Sequence, residues 1–488
     1  MSQYNDIKLE PRLFINNKFV DAKSGKTLPV TNPTDDSHVG DIQAAGPEDI
    51  DDAVAASEAA LKGEWGSYTG AQRAKCILKL ADLMDAKAAE IAKIDTLSMG
   101  TPISILNYGL LPGSSAILRY AAGWADKIPG ESFKDDPAGY YTIVEHVPIG
   151  VCAAISPWNA TSLYIAHVLG FACAGGNVVI YKASELAPFA ALTIAGLIEE
   201  AGFPPGVVNF VSGGGETGAL LASHMRIRLI NFTGSAFTGH KVLALAAQSN
   251  LKKVILELGG KAPAIVFDDA NFENAIENAG GGALRLTGQT CVSPTRIIVQ
   301  KGISEKFITA VEDLYRKTAE NVGKSPLDPT NMIGPLANLA NMKNVLSGIQ
   351  SGKEGATLLV GGDRKGDVGQ FVTPAIFVDP APGSSIWKNE LFGPVVVIKT
   401  FETEEEGIEL ANDTEYGLAA TVFTTNGARA LRVSRKLEAG IITVNGFPTT
   451  GQNGPFGGMK GSGLGRVGGQ YGIMSYLETK SIAINMQV

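Results

Sequence analysis

The sequence predicts an α/β protein with mainly parallel β-sheets. Between Gly150 and Gly218, short apolar runs alternate with longer helical stretches, and Gly and Pro separate them. The same alternation of short apolar runs and helical stretches returns after Glu257. The 58 Gly among 488 residues follow no period, which is typical of many tight turns between strands and helices. Together these observations indicate repeated βαβ units.

The first half of the chain reads as helices followed by βαβ units. Between Pro47 and Thr96, apolar residues recur at three- and four-residue spacing, which predicts two or three helices. Further along, strands are predicted at residues 151–155, 178–181, 207–211 and 228–232, and helices at residues 163–173, 188–201 and 237–249.

A second α/β domain is predicted to begin near residue 257. Strands are expected at residues 264–267 and 295–300, and helices at residues 273–284 and 304–322. Residues 138–147 and 481–488 also have a strand pattern but no neighbouring turn or partner in the sequence. We expect both of these segments to join a sheet shared between subunits.

Composition excludes several classes of protein. The net charge of −8, without basic blocks, argues against nucleic acid or an anionic membrane as partner. The four Cys are scattered singly, which predicts neither a disulfide framework nor a metal site and favours a reducing compartment. No run reaches the roughly 18 apolar residues of a membrane span. The cytosol is therefore the expected location, with a cleaved presequence as the alternative.

Three polar residues stand out as candidates for chemistry. Cys291 follows Gly288-Gln289-Thr290 and is a candidate nucleophile, although a lone Cys is more often a small buried hydrophobe. Glu257 lies between apolar residues before two Gly, so burial would make it a general base, whereas a half-exposed strand end is the plainer interpretation. The Asn159 amide is either an oxyanion donor or a turn residue.

Several strand ends carry groups suited to a phosphate or a ribose. Gly234 and Ser235 precede a helix, where free N–H groups can bind an anion. The Gly-rich turn at residues 213–218 is either an anion cradle or tight packing, and it departs from the Gly-x-Gly-x-x-Gly fingerprint. Lys182 and Glu185 follow a strand and either bind ribose hydroxyls or cap the next helix.

Taken in order, these segments resemble the aldehyde dehydrogenase superfamily from about Phe14 to the last residues. The motifs are Pro157-Trp158-Asn159, Gly176-Asn177, Lys182-x-Ser184-Glu185, Gly202-Phe203-Pro204-x-Gly206-Val207-x-Asn209, Phe232-Thr233-Gly234-Ser235, Glu257-Leu258-Gly259-Gly260-Lys261, Gly288-Gln289-x-Cys291, Glu390-x-Phe392-Gly393-Pro394 and Pro455-Phe456-Gly457-Gly458. The Glu257 and Cys291 motifs together are close to diagnostic of that family.

The resemblance implies the reaction and its residues. It makes Cys291 the nucleophile that forms a hemithioacetal and then a thioester with an aldehyde. Asn159 and the backbone N–H of Cys291 then form the oxyanion hole, and Glu257 activates the water that hydrolyses the thioester. The family's cofactor contacts fall on Ile155, Trp158, Lys182, Ser184, Glu185, Gly214, Gly218, Phe232, Gly234, Ser235, Leu258, Glu390 and Phe392.

The resemblance also implies a cofactor, a domain plan and an assembly. A carboxylate at Glu185 would repel a 2′-phosphate, which favours NAD, although members with Glu at this position also accept NADP. The domain plan is a Rossmann-like NAD(P)-binding domain at residues 1–125 and 149–256, a catalytic α/β domain at 257–450 and a small β oligomerisation arm at 126–148 and 470–488. Such an arm predicts a homodimer or homotetramer.

Departures from the family pattern concern the substrate. Leu284 and Leu286 stand where the family commonly has Phe and Asn, and Ala183 replaces a usual Pro. The sequence around Trp158 and Lys182 resembles the branch that oxidises aromatic aldehydes such as salicylaldehyde or vanillin. Three further residues are candidates for the substrate mouth, although such a His is usually core and such an Arg usually solvated: Tyr164, His167 and Arg285.

Other functions remain open from sequence alone. A CoA-acylating aldehyde dehydrogenase would transfer the acyl group to CoA, and the presence of Glu257 argues for hydrolysis instead. A cysteine hydrolase would need a His partner for the thiol. A structural or binding paralogue would keep the fold without turnover. Esterase activity of the same thiol is a further side reaction.

Overall fold

The computed structural model describes residues 7–487. The strands are β1 Leu13–Ile15, β2 Lys18–Val20, β3 Thr27–Thr31, β4 His38–Gln43, β5 Glu131–Phe133, β6 Tyr140–Pro148, β7 Val151–Ile155, β8 Val178–Lys182, β9 Val208–Val211, β10 Leu229–Thr233, β11 Lys253–Glu257, β12 Ala262–Val266, β13 Pro294–Gln300, β14 Thr357–Val360, β15 Ala375–Val378, β16 Val395–Phe401, β17 Ala419–Phe423, β18 Ile441–Val444, β19 Gly463–Leu464 and β20 Leu477–Asn485. The α-helices are α1 Pro47–Lys62, α2 Glu64–Ser67, α3 Gly70–Ala86, α4 Ala88–Met99, α5 Ile103–Ile105, α6 Leu111–Ala122, α7 Thr161–Ala174, α8 Pro188–Ala195, α9 Gly215–Ser223, α10 Ala236–Gln248, α11 Phe272–Ala275, α12 Ser304–Ala319, α13 Leu339–Gly352, α14 Ser385–Lys388, α15 Glu404–Asn412, α16 Gly427–Ser434 and α17 Gly469–Ser475.

Five short segments of the described chain form helical turns of other types. Leu106–Leu110 and Ile276–Gly280 form π-helical turns, and Gly282–Gly288, Lys301–Ile303 and Lys460–Ser462 form 3₁₀ turns.

The first large sheet has eight strands in the order β19-β11-β10-β7-β8-β9-β1-β2. Its five central strands, β11 to β9, run parallel. β19 runs antiparallel to β11 at one side, and β1 runs antiparallel to β9 and to the edge strand β2 at the other. The central strands are apolar because both faces are covered, and β7 and β8 are buried along their whole length. The carboxyl ends of β7, β8 and β10 consequently meet at one edge of the sheet.

The second large sheet has seven strands in the order β14-β15-β16-β13-β12-β17-β18. All of its pairs are parallel except β14 with β15. Two α/β sheets in sequence confirm the predicted fold class. The change between them falls just after Glu257, since β11 ends there in the first sheet and β12 opens the second at Ala262.

The two isolated strand patterns pair with each other. β20 runs antiparallel to β6 from Leu477 opposite Pro148 to Asn485 opposite Tyr140, and β5 completes a three-stranded sheet. Both segments are therefore strands, as predicted, although the second one begins earlier and turns at residues 486–487. Val488, the last residue of that prediction, lies outside the described residues.

The structure corrects the predicted helices in four places. The helix expected at residues 188–201 ends at Ala195, because the chain then tightens into turns with i→i+3 hydrogen bonds such as Ile198 N–H to the Ala195 carbonyl. The helix expected at residues 304–322 ends at Ala319. The region between Pro47 and Thr96 holds four helices instead of two or three.

The fourth correction lies next to Cys291. Residues 273–284 were expected to be one regular helix, but α11 spans one turn and passes into a π-helical and then a 3₁₀ turn. The irregularity begins at Ile276, where the turn widens to a π-helical one. The chain then reverses before the Cys motif, where Leu286 and Thr287 have φ of 50° and 58°. None of the helices in residues 7–487 is long and apolar enough to cross a membrane.

Candidate active site

A first cavity of about 510 Å³ lies at the carboxyl ends of β7, β8 and β10. Nine of the thirteen residues predicted to bind a cofactor line it: Ile155, Trp158, Lys182, Glu185, Gly214, Gly218, Phe232, Gly234 and Ser235. Parallel strands bring their carboxyl ends to one edge, so residues far apart in sequence meet there. We call this space the strand-end cavity.

Charged side chains and the N-terminus of a helix line the strand-end cavity and determine which ligands it favours. Lys182 Nζ lies 3.5 Å from a Glu185 carboxylate oxygen, and burial lowers the pKa of this lysine. Across the cavity, Ser235 caps α10 by accepting a hydrogen bond from the Thr238 N–H at 3.3 Å. The N-terminus of α10 therefore faces the same space as the Lys182–Glu185 pair and favours an anion.

The other four predicted cofactor residues lie outside the wall of the strand-end cavity. Ser184 accepts the N–H of Leu186 at 3.3 Å within a turn. Leu258 lies under α10, where a Cβ on Gly239 would come within 2.6 Å of it. Phe392 packs edge-to-face on Trp158 with ring centroids 5.5 Å apart.

Glu390, the fourth of these residues, lies beside the Glu257 motif. Its carboxylate accepts the Gly260 N–H at 3.0 Å. Burial raises the pKa of Glu390 to about 7, against the opposing charge of Lys261. The Glu390 charge also reaches the thiol, since it contributes to the raised pKa of Cys291.

A second cavity of about 480 Å³ contains all three predicted catalytic residues, and we call it the thiol cavity. Asn159 enters it from the start of α7, Glu257 from the end of β11 and Cys291 from the loop before β13. Thr233 lines both this cavity and the strand-end cavity. The two cavities therefore adjoin at the end of β10.

Burial raises the pKa of two acidic groups in the thiol cavity, the Cys291 thiol and the Glu257 carboxyl group. It raises the pKa of the Cys291 thiol to about 12, with added repulsion from the charges of Glu390 and Glu257. Burial also raises the pKa of Glu257 well above its ordinary value, although Arg466 opposes this shift. Glu257 is 5% exposed and, within residues 7–487, neither of its carboxylate oxygens has a hydrogen-bond partner. A carboxyl group in this setting readily exchanges protons with a neighbour.

Asn159 is held in place from two sides. Its amide donates to the Gln289 carbonyl at 2.8 Å, and its carbonyl oxygen accepts from the Tyr164 hydroxyl at 3.3 Å. An amide nitrogen carries two hydrogens, so the second N–H is free to serve a ligand in the cavity.

The glycines of two motifs permit close packing around the thiol. A Cβ on Gly260 would lie 2.3 Å from the Cys291 carbonyl oxygen, and one on Gly259 would lie 2.2 Å from a Glu390 oxygen. Gly288 has φ of +72°, and a Cβ there would lie 2.0 Å from the Gly393 carbonyl oxygen. These Gly therefore let the Glu257, Cys291 and Glu390 motifs pack directly on one another.

Other lining residues were not predicted, or were predicted with an alternative. Lys241, Thr238 and Leu245 line the strand-end cavity on one face of α10, and their three- and four-residue spacing in the sequence could have revealed them. Phe447 and Phe456 line the thiol cavity from a loop with no such spacing. The candidates for the substrate mouth, Tyr164, His167 and Arg285, all line the thiol cavity.

Comparison with known proteins gives consistent matches. The model described as the aldehyde dehydrogenase family matches residues 19–482. An aldehyde dehydrogenase of Emericella nidulans is 43% identical and covers 96% of this chain and 94% of its own.

Two solved structures superpose over nearly the whole chain. The NAD+ complex of an aldehyde dehydrogenase from Bacillus cereus has a TM-score of 0.94 at 38% identity, covering 99% of this chain and 98% of its own. The indole-3-acetaldehyde dehydrogenase of P. syringae, in complex with NAD+ and IAA, has a TM-score of 0.96 at 35% identity with the same coverage.

Proposed function

This chain belongs to the aldehyde dehydrogenase family, and on that premise we propose that it oxidises an aldehyde to a carboxylic acid with NAD+ through a thioester on Cys291. One observation carries the proposal. Cys291, Glu257 and Asn159 line a single cavity, and that cavity adjoins the strand-end cavity at Thr233. A nucleophile, a base and an amide donor thus lie next to a space suited to a dinucleotide.

The strand-end cavity fits NAD. Lys182 and Glu185 offer a donor and an acceptor for ribose hydroxyls, and the N-terminus of α10 at Gly234 and Ser235 suits a pyrophosphate. Gly215 has open space where its Cβ would be, so a ligand can approach the backbone closely. When bound, NAD+ accepts the hydride that the aldehyde carbon loses. The Glu185 carboxylate would repel a 2′-phosphate, which favours NAD over NADP.

The first half of the proposed reaction uses Cys291 and Asn159. The thiol loses its proton and its sulfur attacks the aldehyde carbon, forming a hemithioacetal. Because burial raises the pKa of the thiol to about 12, it needs a neighbouring base, and Glu257 in the same cavity supplies one. The free N–H of Asn159 donates to the negative oxygen that develops. Loss of hydride then leaves a thioester.

The second half uses Glu257. Glu257 first releases the thiol proton to solvent, and its carboxylate then takes a proton from water. The resulting hydroxide attacks the thioester carbon, the C–S bond breaks, and the leaving thiolate takes the proton from Glu257. Products are the carboxylic acid and the free thiol. A raised pKa makes Glu257 a stronger base than an exposed carboxylate. Within the same family, this water-activating role argues against CoA as the acyl acceptor.

The proposed substrate is an aromatic aldehyde. The thiol cavity is lined mainly by apolar side chains from α6, α7 and the loops at residues 447–456, among them Ile117, Leu163 and Phe456. Aldehydes with an apolar ring would bury that ring in such a cavity. The P. syringae relative is named for indole-3-acetaldehyde, a ring-bearing aldehyde, which supports this substrate class.

We also propose the domain plan and the assembly expected from the sequence. The NAD(P)-binding domain would comprise residues 1–125 and 149–256, of which 1–6 lie outside the described residues, with the catalytic domain at 257–450 and the arm at 126–148 and 470–488. The sheet β20-β6-β5 leaves exposed apolar residues such as Phe133 and Ile484, which a partner subunit in a dimer or tetramer would cover. The cytosol is the proposed location.

The test is NADH formation, followed by absorbance, with aliphatic, aromatic and amino aldehydes and with each of NAD and NADP. We expect turnover with NAD and the highest kcat/KM with aromatic aldehydes. If aliphatic aldehydes gave the highest kcat/KM, the aromatic substrate class would be contradicted, but the dehydrogenase activity would not. If no aldehyde gave NADH although calorimetry detected NAD binding, the proposed dehydrogenase activity would be contradicted.

A further inference from the structure

One buried nitrogen on the wall of the thiol cavity has no partner and no role in the reaction. Within residues 7–487, the buried, unpartnered polar side-chain atoms of this cavity are the Glu257 oxygens, Thr290 Oγ1 and His167 Nδ1. Glu257 and Thr290 belong to the catalytic motifs. His167 lies apart from them, on the helix α7.

The position of His167 follows from the spacing of α7. Leu163, Tyr164, His167 and Val168 form one face of the helix, and all four line the cavity. Tyr164 hydrogen-bonds Asn159 beside the thiol, and His167 lies about 4.5 Å further along the helix axis, at about 1.5 Å per residue. His167 therefore lines the cavity one helical turn beyond the residue that contacts Asn159.

The state of the His167 ring determines what it can bind. Burial lowers its pKa to about 4, so the ring is neutral and carries one N–H. Nδ1 is enclosed by protein without a partner, which leaves Nε2 as the nitrogen that can reach the cavity. A proton on enclosed Nδ1 would bury an unpaired donor, so the proton favours Nε2. His167 thus presents an N–H donor to the cavity.

Arg285, a cationic side chain on the same cavity wall, is already engaged. Arg285 donates to the Asn278 side chain at 3.0 Å, and its guanidinium lies 4.4 Å from the centroid of the Phe447 ring. Arg285 is also exposed, whereas His167 is only partly exposed. This leaves His167 as a polar side chain on the α7 wall that can contact a ring substituent.

We propose that His167 is a specificity residue that donates a hydrogen bond to an oxygen substituent, hydroxyl or alkoxy, on the side of an aromatic aldehyde away from its aldehyde group. This inference rests on the proposed function. It narrows the substrate class from apolar ring aldehydes to ring aldehydes with an acceptor oxygen. A site built to pair with a polar substituent discriminates against the analogue that lacks it.

The experiment compares isosteric substrates on matched variants. For wild type and His167→Phe, kcat/KM with NAD is measured for 3- and 4-methoxybenzaldehyde and for the 3- and 4-ethyl analogues, which have the same shape and no acceptor. We expect the variant to lose about tenfold on at least one methoxy isomer, equivalent to about 1.4 kcal/mol of transition-state binding. Its kcat/KM for the ethyl analogues should change less than about threefold.

Two further variants separate recognition from packing. His167→Gln keeps an N–H donor and should recover most of the preference for the methoxy group. Leu163→Met lies on the same face of α7 and has no donor, so it should change methoxy and ethyl substrates alike. Thermal unfolding checks that each variant is folded.

The outcomes are distinguishable. Equal losses on methoxy and ethyl substrates, or no loss on either, would overturn the role of His167 while leaving aldehyde oxidation intact. Turnover of short aliphatic aldehydes alone would overturn the inference and the aromatic class together. Oxidation of no aldehyde by wild type would contradict the proposed function as well.

Discussion

The two adjoining cavities differ in how the chain builds them. The strand-end cavity takes its lining from one stretch between Ile155 and Leu245, where each βα turn adds its own residues. The thiol cavity draws on segments from Ile105 to Val467, including two helices and three loops. A parallel sheet thus creates a binding edge from local repeats, whereas the reaction chamber needs contacts between distant segments.

The cavities also differ in their electrostatics. The strand-end cavity pairs Lys182 with Glu185 at its polar rim. In the thiol cavity, apolar walls shift the pKa of Cys291 to about 12 and raise that of Glu257. The strand-end cavity therefore offers a paired donor and acceptor, and the thiol cavity offers groups that exchange protons. Substitutions in the thiol cavity should change chemistry, and those in the strand-end cavity should change cofactor affinity.

The largest effect is expected for Cys291→Ala. Without the sulfur no thioester forms, so dehydrogenase activity should fall by about 10⁴-fold or more, while NAD affinity by calorimetry stays within about threefold. Cys173→Ala is the matched control, since Cys173 is fully buried in α7 and should leave kcat unchanged. Retained turnover in the Cys291 variant would remove the nucleophile from the mechanism.

Glu257→Gln should have the next largest effect. A glutamine cannot accept the proton of water, so steady-state turnover should fall about 100-fold, with a burst of NADH before slow thioester hydrolysis. The base form exists above the pKa of Glu257, and that pKa is raised. The wild-type hydrolysis rate should therefore rise with pH through a range above the ordinary carboxyl pKa of about 4.3.

Two comparisons test this role of Glu257. Stopped-flow measurement across pH should show that the rate of thioester hydrolysis no longer rises with pH in Glu257→Gln. Glu216→Gln, at an exposed carboxylate in the first turn of α9, should keep both the rate and its pH dependence. An unchanged steady-state rate in Glu257→Gln would assign the base elsewhere.

The smallest effect is expected for Glu185→Gln. Removing the carboxylate should raise KM for NAD a few-fold and lower the preference for NAD over NADP about fivefold, with kcat nearly unchanged. Glu200→Gln is the control, because its side chain is exposed at the end of the α8 turns. If kcat of Glu185→Gln fell as much as its KM for NAD rose, the strand-end cavity would affect the chemical step as well as cofactor binding, which would contradict the distinction between the two cavities.

Local patterns predicted much of the fold. The strands β7, β8 and β10 were predicted within one residue, because fully buried parallel strands form short apolar runs between Gly and Pro. The membership of the family, first indicated by the motifs around Glu257 and Cys291, is confirmed by a match over residues 19–482. The prediction of one regular helix at residues 273–284 was wrong, because the chain passes into a π-helical turn at Ile276 and then into a 3₁₀ turn, which apolar spacing does not distinguish from an α-helix.

What the sequence by itself determined was the α/β rhythm, the family and the candidate residues, because apolar periodicity and motif order are properties of the chain. The tertiary structure decided which of these residues meet. It buried Glu257 without a partner, packed Gly260 on the Cys291 carbonyl and placed His167 on the cavity wall. Burial and contact depend on distant segments folding together, so the pKa shifts and the proposed substrate contact could come only from the fold.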